Sequence, residues 1–522
     1  MRNMEVTERL YILFSSSLAL RTPMNTSALR AALARAAVTD RNVDPVRSPL
    51  GVLGRRQLTQ FDLLGQSLST MAPATCMVFI ALWMSTFHGN AGGLLAIIGA
   101  TVVMVLVAIC IRQFTARLAA SGSLYSFVAH GLGKRATLTA GVALFVGYLG
   151  VSISVLSNAG ENLVQVAEVS GARVGPSFSM LACVMVAAGV AMICIRGVRF
   201  ATRTILVIEV CTLVLITALL LRAPVHVDVT ETTTSAPVGF VLFLIMQTVL
   251  SLAGFESAAF FGPEARTPLR TVTRTLLISP ILVGCLYVFA GWAGMTGHAG
   301  TMLNAYFGGV ESGASPLLVV AVTVGVCFSW IASTLGFAQA GSRLLFSMSI
   351  ERIIPAAIER VHPTFRTPYI GVAVFVGASL IGALVHDPDG RGIATYDVVI
   401  EMALTLGYTL VSIAALRFLS RIGEHTLWTR LSGVLAAAAG LGLLGFAAAD
   451  AASSGTWLLV IWLAALSGAG ALWYALLSRY RPTSIASIGV FDTVETADLL
   501  PGSSELTLDE GGKPVLTPAR HR

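Results

Sequence analysis

The chain has 522 residues, of which 55% are hydrophobic and only 12% are charged. Soluble domains carry about 25% charged residues, so this composition excludes a chain built from ordinary soluble domains. The net charge of +7 comes almost entirely from arginine, since lysine occurs only at Lys134 and Lys513. The arginines lie at the ends of the apolar runs. They form no basic patch interleaved with aromatic residues, which argues against a nucleic-acid partner.

The apolar residues lie in long runs, such as Met180–Ile195, Ile205–Leu221 and Leu276–Gly291, that contain almost no charge. Runs of about 18 or more apolar residues are typical of helices that span a membrane. We therefore predict an all-α polytopic membrane protein with about twelve transmembrane helices. In chain order we place them at 62–86, 92–111, 136–158, 176–195, 204–222, 237–262, 275–297, 315–345, 368–386, 395–418, 428–450 and 455–478.

These helices divide the chain into two five-helix units, one final pair of helices and two polar tails. The second tail is rich in Thr, Asp, Glu, Gly and Pro, a composition that predicts disorder. In the first tail, Leu10–Leu20 is apolar but too short to span a membrane. The positive charge ahead of the first span argues against a signal peptide here and predicts a cytoplasmic tail. The alternative is that translation starts at Met24. The predicted segments are 1–57, 58–222, 237–418, 428–478 and 479–522.

The arginines also predict the orientation of the chain. One set of predicted loops holds nearly all of them, and the opposite set holds only Arg173, Arg222 and Arg391. Loops on the cytoplasmic side carry the excess of Lys and Arg. We therefore predict a multi-pass protein of the cell membrane with both termini in the cytoplasm.

Two predicted helices contain signals for a break in the middle. The first has Pro73 within Ser69–Thr75, and the sixth has Gly254 beside Glu256 within Ser251–Ser257. They are the first helices of the two five-helix units, and transporters built from inverted repeats bind substrate at such matched breaks. Unpaired N–H groups at a break suit a carboxylate, and unpaired carbonyls suit an ammonium group, so the pair predicts a site for an α-amino acid. The alternative is that both residues only kink packed helices.

Ionisable residues at membrane depth are costly and point to function. Glu209, Glu256 and Glu401 lie inside the predicted fifth, sixth and tenth helices. A carboxyl group there can hold a coupling proton, or it can serve as a structural hydrogen-bonding group within the bundle. We expect Glu161 and Asp397, which lie near predicted helix ends, to be interfacial.

The predicted eighth helix carries Ser333 and Thr334, whose hydroxyls could coordinate sodium together with carbonyls of the first helix. Such hydroxyls more often bond to their own helix. Tyr148 and Tyr408 are either gate residues or packing residues. The seven cysteines fall inside apolar runs without metal-ligand spacing, and no catalytic or nucleotide-binding motif is present. We therefore predict no enzyme activity, catalytic residue, metal or cofactor.

Three stretches form further motifs: GFESAA at 254–259 followed by PEARTP at 263–268, GSRLLFSM at 341–348, and ASGSLY at 120–125. The first resembles the sixth-helix signature of the amino acid–polyamine–organocation (APC) permeases. The second and third are similar to that family's stretches after helices eight and two. The resemblance covers about residues 60–480.

The resemblance implies a LeuT-like fold, in which two inverted repeats of five helices are followed by two extra helices. It also implies alternating access and amino acid or amine substrates. The residues that it places at the substrate are Ala253, Gly254 and Phe255, with the Phe255 ring as a lid, Glu256 beside the site, and Thr70, Met71, Ala72, Pro73, Ala74 and Thr75 around the carboxylate.

Two departures from the family pattern lie within the predicted spans. The first helix reads Met-Ala-Pro-Ala where many members have a Gly-Ser-Gly-like break. Glu209 falls where some proton-coupled members have a lysine. We therefore predict a proton-driven importer of an amino acid or amine with Glu209 and Glu256 in coupling. The alternatives are an exchanger or a sodium-coupled carrier and, more distantly, a transport-inactive amino acid sensor.

Overall fold

The computed structural model describes residues 53, 57–86, 91–118, 120–172, 174–175, 177–222, 238–386, 393–489, 504–508 and 514–518. Most of the first tail, including Leu10–Leu20 and Met24, lies outside these residues. The chain divides into two compact units. One comprises Ser48–Glu495 and contains all the described helices. The other comprises Met1–Arg47 and Thr496–Arg522, and its described part is an antiparallel hairpin of β1 (Ser504–Leu508) and β2 (Pro514–Pro518).

The helices of the larger unit follow one another in chain order as α1 to α16. A 3₁₀ segment, Phe255–Glu264, follows α8, and short π and 3₁₀ turns follow α10. The helices are α1 (Gln60–Met71), α2 (Pro73–Thr86), α3 (Ala91–Thr115), α4 (Leu124–Leu132), α5 (Lys134–Val169), α6 (Ser177–Arg196), α7 (Val198–Leu220), α8 (Val238–Leu252), α9 (Pro268–Met295), α10 (Gly300–Leu303), α11 (Pro316–Ile350), α12 (Tyr369–Val385), α13 (Ile393–Ile422), α14 (Leu427–Ser453), α15 (Trp457–Tyr480) and α16 (Pro482–Ser487).

The predicted all-α membrane architecture is confirmed. Among the described residues, eleven helical segments are long and apolar enough to span a membrane, and the shorter apolar helix α12 lies at the predicted ninth span. Each of the two spans predicted to be interrupted consists of two helical pieces, α1 with α2 and α8 with the 3₁₀ segment. This is the arrangement expected of the LeuT-like fold.

The structure differs from the prediction at several helix boundaries. The third span, α5, runs 36 residues to Val169. The polar residues beyond 158 are therefore also helical. The short helix α4 was not predicted. The second tail was expected to be disordered, but its described part contains α16 and the β1–β2 hairpin.

Local sequence chemistry explains where the first span begins. The Thr59 hydroxyl accepts a hydrogen bond from the Asp62 backbone N–H at 3.4 Å, and the Asp62 carboxylate accepts one from the Thr59 N–H at 2.8 Å. This reciprocal capping satisfies two N–H groups that the first turn leaves without helical partners. Arg203 on α7 lies 3.2 Å from the same carboxylate, so the cap also attaches α1 to α7.

Helix α5 lies at the centre of the bundle and packs against α6, α11, α12, α13 and α15. Glycines on α5 allow α13 to approach closely. A Cβ atom at Gly147 would lie 2.5 Å from Leu404 Cδ2, and one at Gly150 would lie 2.5 Å from Ile400 Cγ1. Small residues at helix contacts are typical of membrane bundles, where dispersion and close packing drive association.

The outer surface of the bundle is apolar. On α7, Val207 and Val214 are exposed by 64% and 65%. In water such a continuous apolar surface would be unfavourable, whereas in a bilayer it contacts lipid chains.

A buried ion pair joins the end of the 3₁₀ segment to α11. Arg343 Nη2 and Nε donate to Glu264 Oε1 at 2.7 Å and 3.0 Å. The guanidinium also lies 3.9 Å from the centre of the Phe261 ring. Both charged side chains are almost fully buried, so each depends on the other for compensation of its charge.

We expect Glu264→Gln to lower the free energy of unfolding by about 3–5 kcal/mol, because it leaves the Arg343 charge buried without its counter-ion. The measurement is equilibrium unfolding in mixed micelles. The matched control is Glu359→Gln, which removes the carboxylate of the exposed Arg352–Glu359 pair, 3.2 Å apart. Exposed pairs contribute less than about 1 kcal/mol, and equal losses in the two variants would contradict the assignment.

Candidate functional site

The first span is interrupted between α1 and α2. Ala72 has the left-handed backbone angles φ 44° and ψ 53°, and its N–H bonds back to the Ser69 carbonyl at 3.1 Å. The cause is Pro73, which has no N–H to continue the helical ladder and disfavours helical geometry in the preceding residue. Pro73 is the first residue of α2. The backbone N–H groups of the next two residues, Ala74 and Thr75, therefore have no preceding helical carbonyl to bond to.

The second interruption follows α8. Gly254 has φ 97°, a left-handed conformation that favours glycine. Its N–H donates at 3.0 Å to the carboxylate of Glu256, two residues further along the chain. After this turn the chain continues as the 3₁₀ segment.

The two interruptions lie against each other. The Thr70 hydroxyl donates to the Ser257 hydroxyl at 3.0 Å, and the Ser67 hydroxyl donates to the Phe255 carbonyl at 2.8 Å. A Cβ atom at Gly254 would collide with the Thr70 side chain. Glycine is therefore required at position 254 both for its backbone angles and for the close approach of the two breaks.

Tyr287 on α9 connects carbonyls from both interrupted spans. Its hydroxyl lies 3.2 Å from the Met71 carbonyl oxygen and 2.9 Å from that of Ser251. Carbonyls released by a break in the bilayer must find other donors. A single hydroxyl shared between the two breaks ties their positions together.

Glu256 is fully buried and has three hydrogen-bond donors around it. The Tyr148 hydroxyl donates to it at 2.5 Å, and the Tyr408 hydroxyl lies 3.1 Å from both of its oxygens. The Gly254 N–H completes the set. Tyr148 and Tyr408 therefore hold this carboxyl group and pin the second break to α5 and α13.

Glu209 on α7 is also fully buried and reaches the first break. Its Oε1 accepts from the Ala74 N–H at 3.1 Å and from the Ser329 hydroxyl at 3.2 Å. Its Oε2 is buried and has no hydrogen-bond partner among the described residues. One carboxyl group thus connects α2 with α7 and α11 and retains an unused oxygen.

The two residues considered for sodium behave differently. The Ser333 hydroxyl donates to the Thr70 carbonyl at 3.1 Å, across to the first break. The Thr334 hydroxyl donates to the Trp330 carbonyl of its own helix at 3.0 Å, the commoner arrangement for threonine inside a helix.

A cavity of about 300 Å³ begins at the breaks and extends toward the Thr86 end of α2. This volume is in the range of small-molecule sites. Its wall is mostly apolar and aromatic, with a few polar groups. The lining residues are Thr70, Met71, Ala72, Cys76, Phe79, Trp83, Val151, Ser154, Val155, Asn158, Gln247, Leu250, Ser251, Ala253, Trp330, Ser333, Phe337, Asp397 and Ile400.

Only part of the predicted substrate site lines this cavity. Thr70, Met71, Ala72 and Ala253 lie in its wall, together with Ser333. The other predicted residues are not among the described residues that line it, namely Pro73, Ala74, Thr75, Gly254, Phe255, Glu256, Glu209 and Thr334. The Phe255 ring, expected as a lid, is fully buried and contacts the Tyr408 ring at a centroid distance of 6.0 Å.

The sequence analysis missed most of the polar and aromatic lining. Asp397, expected at the membrane interface near a helix end, lies half-buried in the cavity wall. Gln247, Asn158 and Trp330 were not singled out. Gln247 and Asn158 are uncommon polar residues within otherwise apolar spans, and this feature of the sequence could have identified them as candidate lining residues. Tyr287 gave no signal, because a tyrosine in an apolar run is ordinary.

A bundle of membrane-spanning helices with two matched interruptions beside a small-molecule cavity defines a carrier of small solutes. Comparison with known proteins identifies the family. Residues 58–446 match the family described as amino acid permease. The chain belongs to this family, and it is a transporter rather than an enzyme.

The chain is similar to two Bacillus subtilis (strain 168) proteins. It is 21% identical to the branched-chain amino acid permease BcaP, over 63% of this chain and 75% of that one. It is 24% identical to the methylthioribose transporter, over 69% of this chain and 80% of that one. The crystal structure of a manganese transporter mutant from Eremococcus coleocola aligns with a TM-score of 0.49 and 14% identity, over 82% of this chain and 95% of that one.

We expect Glu256→Gln to lower the initial rate of substrate uptake at least tenfold. The glutamine amide presents an NH₂ group to donors that now bond a carboxyl group, and a hydrogen bond to a charged group contributes about 1.5–3 kcal/mol.

Tyr148→Phe, which removes the 2.5 Å contact, should impair uptake more than Tyr408→Phe. Tyr480→Phe, at an exposed tyrosine, is the control, and wild-type accumulation by the Glu256 variant would refute this role.

Proposed function

We propose that this protein imports an amino acid or a related amine by alternating access, driven by protons. The observation that carries the proposal is that the two interrupted spans meet beside one cavity, with the buried Glu209 carboxyl bonded to the first interruption. Membership of the amino acid permease family supports the substrate class.

Backbone groups at the breaks suit both ends of an α-amino acid. The N–H groups that open α2 lie at the positive end of a helix and favour a carboxylate, although the Ala74 N–H already donates to Glu209 in this structure. The carbonyls of Thr70 and Met71 end α1 and accept from hydroxyls of neighbouring helices, so they offer acceptors to an ammonium group. Thr70, Met71 and Ala72 all line the cavity.

Glu209 is the group we propose for the coupling proton. As a carboxylate it would keep the unpartnered Oε2 charged in a buried site, which is costly. A proton on Glu209 removes that charge. Because Oε1 bonds to Ala74 and Ser329, its protonation state acts directly on α2 and α11, which both line the cavity.

The distribution of arginines supports cytoplasmic termini. Arg196 ends α6, and Arg352 and Arg360 lie in the loop after α11. This end of the bundle then lies on the cytoplasmic side. Trp83 and Asp397 lie toward the opposite ends of their spans. In this orientation, the cavity is on the outer half of the protein.

The experiment is uptake by proteoliposomes of labelled amino acids and amines under an imposed inward proton gradient. We expect accumulation that an uncoupler abolishes. Accumulation driven only by a sodium gradient, or counterflow with preloaded vesicles but no accumulation, would replace proton coupling by sodium coupling or exchange. Binding without any transport would favour a sensor.

Replacement of Glu209 by Gln should abolish the proton-driven accumulation and flatten the pH dependence of uptake, while counterflow persists. The reason is that glutamine keeps an oxygen for Ala74 and Ser329 but binds no proton. The readout is uptake against external pH, with and without the gradient. Glu168→Gln, at an exposed carboxylate on α5, is the control, and an unchanged pH profile would remove Glu209 from the proton path.

A further inference from the structure

We propose that a groove between the end of α13 and the start of α14 binds the headgroup phosphate of an anionic phospholipid from the surrounding bilayer. The groove has a volume of about 670 Å³. It shares no lining residue with the substrate cavity, and its assignment does not depend on the proposed function. The residues that line it are Leu416, Arg417, Leu419, Ser420, Arg421, His425, Arg430 and Val434.

The charge of the groove is the first observation. Arg417, Arg421 and Arg430 line it, and none of its described lining residues is acidic. Glu424 lies in the turn between the two helices, but Arg117 Nη2 already donates to its Oε2 at 2.6 Å. The three arginine charges therefore favour an anionic ligand, as basic pockets between membrane spans do.

The guanidinium groups are available to such a ligand. The side chains of Arg417 and Arg430 are exposed and have no hydrogen bond or ion pair with any described residue. Arg421 makes one hydrogen bond, from Nη1 to the His130 carbonyl oxygen at 3.4 Å. Each guanidinium has five N–H donors in a planar fork that matches the oxygens of a phosphate. Nearly all the donors of the groove are therefore free to bind one.

The two helices bring the arginines to one place. Arg417 and Arg421 are four residues apart on α13, which is about 6 Å along the helix axis. Arg430, near the start of α14, lines the same groove from the other helix. The helices pack tightly at this level, since a Cβ atom at Gly433 would lie 2.6 Å from Leu416 Cδ2. Donors from both helices thus surround a single anion.

The surface beside the groove favours a lipid over a free anion. Leu427 and Trp428, which begin α14, are each exposed by 78%, and tryptophan is enriched at the headgroup level of a bilayer. Val434 and Leu441 follow Arg430 by four and eleven residues and therefore lie on the same face of α14. They are exposed by 48% and 57%. A phospholipid whose phosphate binds the arginines thus places an acyl chain along these two residues.

The experiment is native mass spectrometry of the purified full-length protein with phosphatidylglycerol and, separately, with phosphatidylcholine that has the same acyl chains. The two lipids differ only in the headgroup, and choline brings its own positive charge to the arginines. We expect phosphatidylglycerol to bind at least tenfold more tightly than phosphatidylcholine. Equal affinities for the two lipids would overturn the proposal.

Arg417→Gln combined with Arg430→Gln should weaken phosphatidylglycerol binding at least tenfold and leave phosphatidylcholine binding unchanged. The charge-matched control is Arg479→Gln combined with Arg481→Gln, two exposed arginines at the end of α15 that do not line the groove. Equal losses in the two double variants would attribute the binding to general surface charge and overturn the site. Arg417→Lys combined with Arg430→Lys preserves the charge and should retain most of the preference.

Inorganic phosphate distinguishes a lipid site from a site for a small anion. At a concentration equal to that of phosphatidylglycerol, phosphate should displace none of the bound lipid, because it has no acyl chain to contact Val434 and Leu441. Displacement of most of the lipid under these conditions would overturn the lipid assignment in favour of a free anion.

Discussion

The requirement that every backbone polar group be satisfied within the bilayer governs this structure. Interrupting two spans releases N–H and C=O groups where no water compensates them. The protein meets the need with side chains from other helices: Glu209 on the Ala74 N–H, Ser333 on the Thr70 carbonyl, and Tyr287 near a carbonyl of each break. The helices around the breaks are therefore positioned by hydrogen bonds as well as by packing.

The two buried glutamates that contact the breaks differ in how many of their oxygens accept hydrogen bonds. Glu256 accepts from two tyrosines and its own turn, so both of its oxygens are engaged. Glu209 keeps one oxygen without a partner among the described residues. A carboxyl group whose two oxygens both accept hydrogen bonds holds its neighbouring helices in one arrangement. A carboxyl group with one oxygen unbonded can take up a proton and change its contacts. This difference is the reason why we propose Glu209, rather than Glu256, for the coupling proton.

Sequence alone predicted what depends on local chemistry. Apolar runs located the spans, and Pro73 and Gly254 located both breaks, because proline and glycine act through their own backbone. The cavity depends on which faces of distant spans meet, and this cannot be read from one span. Asp397 illustrates the limit, because its place near a predicted helix end suggested the interface. Phe255 shows the reverse case, since its position beside the break does not determine that its ring turns toward Tyr408.

The charge of the substrate decides how much the proton gradient must contribute. Moving one elementary charge through a potential of 100 mV is worth about 2.3 kcal/mol, which corresponds to about a 50-fold concentration ratio. A substrate with net positive charge would accumulate in a cell with a negative interior on the potential alone. A proton carried on Glu209 would then add a second contribution that depends on external pH. Under this argument, uptake at zero potential isolates the contribution of the pH gradient through Glu209, and uptake at zero pH gradient reports the total charge that substrate and proton carry together.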